Sequence, residues 1–489
     1  MLLLLALAAL TADADPPFVT LDLARAETRT AYGSSITLVS TSAERDASQG
    51  AVRKAIAKIS VDGRTLDLEC GNYNLPVKVG KVQVDCPVTS AYLANSTLDH
   101  WGLPKEARIR VWPADSPWMT PDEFSYPLKQ RWFLTHTQMA NEPTYVDRGE
   151  QAARKKVYYH AGLDMGGPES FADVFAATDG IVVSLGKPVL AGQEKDTPIQ
   201  SRYDVIYLLD SRGWYYRYSH LYSLEPSLKL GDRVNRGQKL GTLGKEGGSG
   251  GWSHLHFEAV SRQPSGKWGT LEAFAFLWEA YLRDFKPHVV AIARPHRYAK
   301  VGELVTLDAR KSYVSKGAPR FQWKLSDGRV AAATTVTMKY AKPGTYCETL
   351  EVRDTAGHVA YDFATVNVYS DTEDPITINA SYTPGLNIKP GMPVTFLVRT
   401  FGKTDGEETW DFGDGSPIRS TKSDGNVNAL AKDGYARIEH TFAKPGDYIV
   451  TVKNGSATTR LWVPAGVGDE LLRKLGAFAR GRDLFTWLN

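Results

Sequence analysis

This chain of 489 residues has few cysteines, no large excess of positive or negative charge, and few long hydrophobic runs. Three cysteines are too few for a disulfide-rich scaffold, although Cys70 and Cys86 lie close enough in sequence to close a small loop in an oxidising compartment, with Cys347 left single. Lys and Arg number 58 against 55 Asp and Glu, and the net charge of +3 gives no electrostatic case for nucleic acid.

The longest apolar run stands at the N-terminus, from Leu2 to Leu10. Ala12-Asp13-Ala14 follows with the small-x-small pattern of a cleavage site, so residues 1–14 are predicted to be a signal peptide. An uncleaved anchor is the alternative, but spanning a bilayer needs ~20 apolar residues. No later segment is long enough either. We therefore expect no transmembrane segment and a secreted, periplasmic or cell-envelope location.

The length predicts about three to five domains of ~100–200 residues each. Short alternating stretches separated by Gly and Asn turns predict a small β-sandwich over residues 15–128. A second domain is expected over residues 129–286. The aromatic-rich segment from Leu271 to Leu282 is typical of a helix that closes this domain and ends before Pro287.

The second domain contains three short histidine motifs within a stretch of fewer than a hundred residues. They are His160-Ala-Gly-Leu-Asp164, Ser219-His220-Leu221 and His254-Leu-His256-Phe. Residues two apart in a strand project from the same face, so His254 and His256 should lie side by side, with Leu255 and Phe257 facing the core. The Asp210-Ser-Arg-Gly213 turn predicts a hairpin with His220 near the end of its second strand.

His160 and Asp164 have the i, i+4 spacing of a helix face. Gly162 between them, and the Met-Gly-Gly-Pro that follows, instead favour a strand running into a turn, with Asp164 at the bend. The available groups fit two histidines and one carboxylate around a catalytic zinc with an open position for water. Such an ion lowers the pKa of a bound water towards about 7 and so creates the nucleophile.

The order of these motifs resembles that of the M23 peptidases, the lysostaphin- and LytM-type zinc endopeptidases that cut peptide cross-links in bacterial cell walls. The resemblance covers roughly residues 130–286 and extends to the segments 176–182, 230–234 and 237–241. It implies that His160, Asp164 and His256 bind Zn²⁺, while His220 and His254 stand beside the open position as catalytic groups. The chain departs from the family at residues 141–147, where a Phe-Gly-x-Arg stretch is common.

A glycine-rich segment, Gly247-Gly-Ser-Gly-Gly251, precedes the third motif. It lacks the Lys-Ser/Thr pair of a phosphate-binding loop, and we expect a flexible turn that lets a substrate backbone approach closely. The other histidines lie outside the three histidine motifs and are expected to be ordinary surface or core residues: His100, His136, His288, His296, His358 and His440.

Two similar units follow the second domain. Ala341-Lys-Pro-Gly-Thr-Tyr346 recurs as Ala443-Lys-Pro-Gly-Asp-Tyr448, and this repeat predicts tandem β-sandwiches over residues 287–371 and 372–465. Trp410-Asp-Phe-Gly-Asp-Gly415 in the second unit resembles PKD domains, the immunoglobulin-like modules common in secreted bacterial proteins, and the first unit resembles them partly. Residues 466–489 are expected to form an amphipathic docking tail.

The expected fold is mainly β and multidomain: an antiparallel β-sheet M23-type peptidase domain flanked by an N-terminal β-sandwich and two immunoglobulin-like PKD sandwiches. The expected function is a secreted zinc metalloendopeptidase that hydrolyses peptide cross-links of peptidoglycan with a zinc-activated water. The PKD-like units would be spacers or contacts to wall or polysaccharide. Two alternatives stay open: a secreted protease acting on glycine-rich proteins, and a non-catalytic scaffold that binds or regulates the cell wall.

Overall fold

The computed structural model describes residues 17–46, 50–71, 73–94, 99–140, 159–370, 374–402 and 406–466. The predicted signal peptide (1–14), the segment 141–147 and the predicted tail beyond Gly466 lie outside the described residues. Within the described ranges, no helix has both the length and the apolar character needed to cross a bilayer. Strands dominate, and the expectation of a mainly β, multidomain fold is confirmed.

The N-terminal unit is a sandwich of two four-stranded antiparallel sheets, ordered β1-β8-β7-β6 and β2-β3-β4-β5. Alternating apolar residues such as Ile36, Ile59 and Val84 fill the space between the sheets, because every second side chain of a strand points to the same face. The strands are β1 Val19–Leu23, β2 Thr28–Ala31, β3 Ser34–Arg45, β4 Val52–Val61, β5 Arg64–Glu69, β6 Val77–Val79, β7 Val82–Thr89 and β8 Ala107–Pro113. Short 3₁₀ turns lie at Ser90–Tyr92 and Pro121–Glu123.

The central unit contains an eight-stranded antiparallel sheet, ordered β16-β12-β13-β14-β18-β10-β9 with β19 also paired to β18, and a three-stranded sheet, β11-β17-β15. Strand β18 lies between β14 and β10 and is the strand on which the candidate site is built. The strands are β9 Gln138–Ala140, β10 Leu163–Gly166, β11 Asp173–Phe175, β12 Gly180–Leu185, β13 Ile206–Leu209, β14 Tyr215–Ser219, β15 Leu221–Leu224, β16 Arg233–Val234, β17 Lys239–Leu243, β18 His254–Arg262 and β19 Trp268–Leu271.

Helix α1, Phe274–Phe285, follows the last of these strands. It begins later than expected, because Leu271 pairs with Ala259 as the end of β19. It ends before Pro287 as expected, where Lys286 takes a left-handed conformation and its N–H donates to the Leu282 carbonyl. The aromatic side chains of α1 pack into one core shared by the central unit and the N-terminal sandwich.

Two sandwiches complete the described chain, each with a buried tryptophan, Trp323 or Trp410, in its core. A nine-stranded sheet runs through both units, because β27 pairs with β35 in parallel at Thr345 and Ala457. The first unit has β20 Val289–Val290, β21 Arg297–Lys300, β22 Leu304–Asp308, β23 Tyr313–Val314, β24 Arg320–Lys324, β25 Val330–Ala331, β26 Thr335–Lys339, β27 Gly344–Arg353 and β28 Val359–Tyr369. The second has β29 Thr377–Thr383, β30 Pro393–Phe401, β31 Glu408–Asp411, β32 Arg419–Thr421, β33 Ala436–Thr441, β34 Gly446–Asn454 and β35 Ala457–Ala465.

The repeated Ala-Lys-Pro-Gly-x-Tyr segments form equivalent turns in the two units. The Tyr346 hydroxyl donates to the Lys342 carbonyl at 3.0 Å, and the Tyr448 hydroxyl donates to the Lys444 carbonyl at 2.8 Å. The sequence repeat therefore marks the same local structure twice.

Candidate active site

The first residues of β18 form the middle of the candidate site. His254 and His256 project from one face of the strand, as expected. Leu255 and Phe257 point the other way and are fully buried in the core. Asp164 of β10 lies directly opposite His256 in the antiparallel pair, so the register of two neighbouring strands brings the first and third histidine motifs together.

Asp164 lies inside β10 and not at a bend, so that detail of the sequence interpretation is wrong. The bend precedes the strand, at Gly162, whose φ is +96°. A Cβ at Gly162 would come within 2.8 Å of the Phe257 carbonyl oxygen and 3.0 Å of the His256 ring. A glycine is needed here for both reasons, and it lets the chain turn from His160 into the strand.

Three donor atoms converge at this point. His160 Nε2 lies 2.9 Å from His256 Nδ1 and 3.1 Å from Asp164 Oδ1, and His256 Nδ1 lies 2.9 Å from the same oxygen. Ligand atoms bonded to one tetrahedral zinc ion stand about 3.3 Å apart. The three side chains are buried, and His160 Nδ1 has no hydrogen-bond partner among the described residues. Two imidazoles and a carboxylate in this arrangement fit a metal ion such as zinc.

The carboxylate at this point is held in its charged form. Burial alone would raise the pKa of Asp164, but the adjacent histidines, His160 foremost, outweigh burial and hold that pKa well below its usual range. Burial would lower the pKa of His256, yet its hydrogen bond to Asp164 and the nearby carboxylate of Glu258 raise it overall. The Asp164 carboxylate therefore presents a negative charge to a metal ion bound by the neighbouring imidazoles.

Glu258 continues the same face of β18 two residues beyond His256. Its carboxylate lies 3.8 Å from His256 Nε2 and 3.8 Å from Arg217 Nη1. Burial would raise the pKa of Glu258, but the nearby His256 imidazole and the charge of Arg217 outweigh it and hold the pKa at about 2. Glu258 therefore places a negative charge near the His256 ring on the side away from Asp164.

His254 lies beside the three donor atoms with its ring orientation fixed. Its Nδ1 donates to the Trp252 carbonyl at 3.0 Å, so the neutral ring carries its lone pair on Nε2. That Nε2 lies 3.5 Å from Asp164 Oδ1. Burial lowers the pKa of His254, which favours the neutral ring.

His220 approaches the same place from the end of the predicted hairpin, where β13 pairs with β14. Its Nδ1 donates to the Glu246 carbonyl at 2.6 Å, which again leaves the lone pair on Nε2. Burial lowers the pKa of His220 to about 3. The ring centroids of His220 and His254 are 4.7 Å apart. The structure thus brings all five predicted site residues into one buried cluster.

Asp204 supports His220 and was missed by the sequence interpretation. Its carboxylate accepts the His220 backbone N–H at 2.9 Å and pairs with Arg202. His220 has a φ of +66°, an unfavourable conformation for a residue with a Cβ, and the Asp204 contact holds it there. Asp204 lies in a loop without hydrophobic periodicity, so the sequence contains no signal that identifies it.

The remaining histidines divide into two kinds. His100, His136, His296 and His440 have structural contacts, as expected; the His100 ring packs edge-on against Trp101, and His440 pairs with Asp414 at 2.7 Å. His288 and His358 are instead grouped with each other and with a carboxylate, contrary to expectation. Their rings stack with centroids 3.8 Å apart, and His358 Nδ1 lies 2.7 Å from Asp354 Oδ2. These three residues form a second, more exposed group with metal-ligating atoms.

Comparisons with known proteins agree with the site's location. The model of peptidase family M23 matches residues 158–266, and models of PKD domains match residues 286–368 and 376–461. No curated protein matches the chain.

Several solved structures are similar to parts of the chain. The catalytic domain of a mutant of the prophage-encoded M23 protein EnpA from Enterococcus faecalis is 20% identical, with 30% of this chain and 89% of that chain covered and a TM-score of 0.19. Csd3 from Helicobacter pylori is 14% identical, with 48% of this chain and 75% of that chain covered and a TM-score of 0.21. The buried histidine cluster thus lies in the segment that the M23 model matches, and the chain contains a peptidase family M23 domain followed by two PKD domains.

Proposed function

We propose that this protein is a secreted zinc metalloendopeptidase that hydrolyses peptide cross-links of bacterial peptidoglycan. The observation that supports this most is the convergence of His160 Nε2, Asp164 Oδ1 and His256 Nδ1, each within 3.1 Å of the others, beside two buried histidines with fixed ring orientations. The match to the M23 peptidase model over the same residues supports the reaction class.

His160, Asp164 and His256 would hold the metal ion. When bound, Zn²⁺ would supply a Lewis acid that polarises the scissile carbonyl and lowers the pKa of a water molecule. The charge of Asp164 would offset part of the charge of the ion, and the Glu258 carboxylate, 3.8 Å from His256 Nε2, would favour the bound orientation of that ring.

His220 and His254 would carry the proton transfers. Cleaving a peptide bond with water forms a C–O bond and breaks the C–N bond, and one proton must move from the water to the departing amine. Each of the two rings donates Nδ1–H to a backbone carbonyl, so each presents the Nε2 lone pair to the reacting atoms. One Nε2 would accept the proton from water, and the imidazolium so formed would stabilise the developing oxyanion until it returns the proton to the amine. The Nε2 of the other ring would accept a hydrogen bond from the attacking water and so orient it.

A mass-spectrometric digest of purified peptidoglycan tests the proposal. We expect new amino termini within stem or cross-bridge peptides, lost when the protein is treated with a chelator and restored by Zn²⁺. Cleavage of a glycine-rich protein with intact peptidoglycan would identify the alternative protease. A protein that binds zinc and hydrolyses neither substrate would instead be the non-catalytic scaffold.

The PKD domains would contact the wall or a polysaccharide, as such modules often bind partners. Co-sedimentation of the full chain, carrying His254→Ala to suppress cleavage, with insoluble peptidoglycan tests this second part. Equal recovery with an unrelated insoluble polysaccharide would indicate nonspecific adsorption.

A further inference from the structure

We infer that the second PKD domain is a working part of the peptidase site. Its residue Arg399 and the neighbouring side chains hold residues 250–253 of the loop that connects β17 to β18, and the Trp252 carbonyl in that part of the loop orients His254. The inference rests on the proposed function for the roles of the two histidines. The contacts themselves are independent of it.

The loop connects β17 to β18 and carries both carbonyls that fix the site histidines. The Glu246 carbonyl, at its start, accepts the Nδ1–H of His220, and the Trp252 carbonyl, near its end, accepts the Nδ1–H of His254. Between them the backbone has positive φ at Gly247, Gly250 and Gly251. Glycines restrict the backbone less than any other residue, so this loop needs external contacts to keep its carbonyls in place.

Arg399 of β30 supplies the main contact. Its side chain is fully buried, and its Nη1 donates to the Gly251 carbonyl at 2.9 Å. Its other N–H groups donate to Asp424 and to the carbonyls of Asn428 and Ala429, so all five donors of the guanidinium have acceptors. A planar guanidinium with every donor used is rigid and resists replacement by lysine.

Further residues of the second PKD domain contact the same end of the loop. Asn426 Nδ2 donates to the Gly250 carbonyl at 3.1 Å, Trp252 stacks on Phe401 with ring centroids 4.0 Å apart and an interplanar angle of 3°, and the Ser253 N–H donates to the Tyr435 hydroxyl at 2.9 Å. Each residue from Gly250 to Ser253 therefore touches this domain. A Cβ at Gly251 would collide with Asn426, so the fit is close.

The start of the loop is held from within the peptidase domain. Lys245 Nζ lies 2.5 Å from Glu169 Oε1, and both side chains are buried. The two ends of the loop thus depend on different domains. Loss of the PKD contacts should release the Trp252 carbonyl and His254 while Glu246 and His220 keep their support.

The test uses the full chain carrying Arg399→Ala. Because misplacement of a catalytic group by ~1 Å can cost about 10²-fold, we expect kcat to fall by about 10- to 100-fold, with KM changed far less. Hydrogen exchange should accelerate at the amides of residues 250–253 and stay unchanged at 245–247. The matched control is Val450→Ala in the core of the same domain, where the cluster of buried residues includes none from the loop; it should leave kcat and loop exchange unchanged.

Two milder variants cover the case in which Arg399→Ala fails to fold. Asn426→Gly suits the left-handed backbone at that position and removes only the amide, and Phe401→Leu keeps an apolar side chain but loses the stacking. Each should raise exchange at residues 250–253 and lower kcat. Unchanged exchange in all three variants, or altered exchange with full kcat, overturns the inference. A wild-type protein without peptidase activity would overturn the proposed function, whereas the exchange measurement would still report whether the domain holds the loop.

Discussion

His254 and His256 offer a matched test of the site, because they are two residues apart on one face of one strand and yet have different predicted roles. His256→Ala removes one of the three converging donor atoms and leaves His160 and Asp164. His254→Ala leaves all three donors in place. We therefore expect the first substitution to abolish zinc binding at these three donors and the second to preserve it.

The loss of rate on substituting His254 follows from its contacts. The ring contributes a single Nε2 to the reacting region, since its Nδ1 is used by the Trp252 carbonyl. Removing one positioned proton acceptor or oxyanion donor lowers a rate by about 10²–10⁴, which corresponds to about 2.7–5.5 kcal/mol of transition-state stabilisation. His220→Ala should fall in the same range, with zinc retained.

The double variant tests whether the two rings act together. The ring centroids of His220 and His254 are 4.7 Å apart, so both would face the same reacting atoms. Residues that act as a unit have non-additive effects. The rate of His220→Ala/His254→Ala should therefore fall by clearly less than the product of the two single effects.

The assay combines elemental analysis of dialysed protein with kcat on a soluble peptide. The second group, Asp354 with His288 and His358, could bind metal as well, so His358→Ala belongs in the panel as a control and should keep full kcat. If His254→Ala loses the zinc that His256→Ala keeps, the roles of the pair are reversed. Full activity in all the site variants would refute the active-site interpretation.

Three further predictions concern the surroundings of the site. Asp204→Ala should lower kcat with zinc content unchanged, because the His220 backbone loses its carboxylate acceptor; an unaltered kcat would show that the strained backbone needs no such support. Lys245→Met should lower stability by about 3–5 kcal/mol, because Glu169 becomes an unpaired buried charge. The double variant with Glu169→Gln should recover most of the loss in thermal unfolding, and no recovery would exclude this cause. Chelation should abolish hydrolysis reversibly; activity that survives complete zinc removal would contradict the metal assignment.

The sequence predicts those parts of the site that follow from strand periodicity. Two-residue alternation is enough to put His254 and His256 on one face with Leu255 and Phe257 behind them. The hairpin before His220 follows from its turn residues. The beginning of α1 differs from the prediction, because an aromatic run does not show where a strand ends and a helix begins. The position of Asp164 also differs, because a glycine indicates a bend without fixing the residue at which the chain turns.

Contacts between a side chain and a distant backbone carbonyl have no comparable signal. Arg399 and Gly251 are 148 residues apart, and nothing in either local sequence points to the other. The prediction that residues 287–465 are spacers or wall-binding modules therefore does not include this contact with the peptidase domain. A chain truncated near Pro287, which on that interpretation should still cleave soluble peptides, would lose every contact that the second PKD domain makes with residues 250–253.

Strand β18 places chemistry and packing on opposite faces of the same few residues. A slip of its pairing by one residue would turn His254, His256 and Glu258 into the core and expose Leu255 and Phe257, since successive side chains alternate. The strand is paired on both sides, with Asp164 of β10 and Ser219 of β14 both opposite His256. Correct folding of this sheet and assembly of the candidate metal site are therefore one event, and a misregistered chain would have neither a core nor a site.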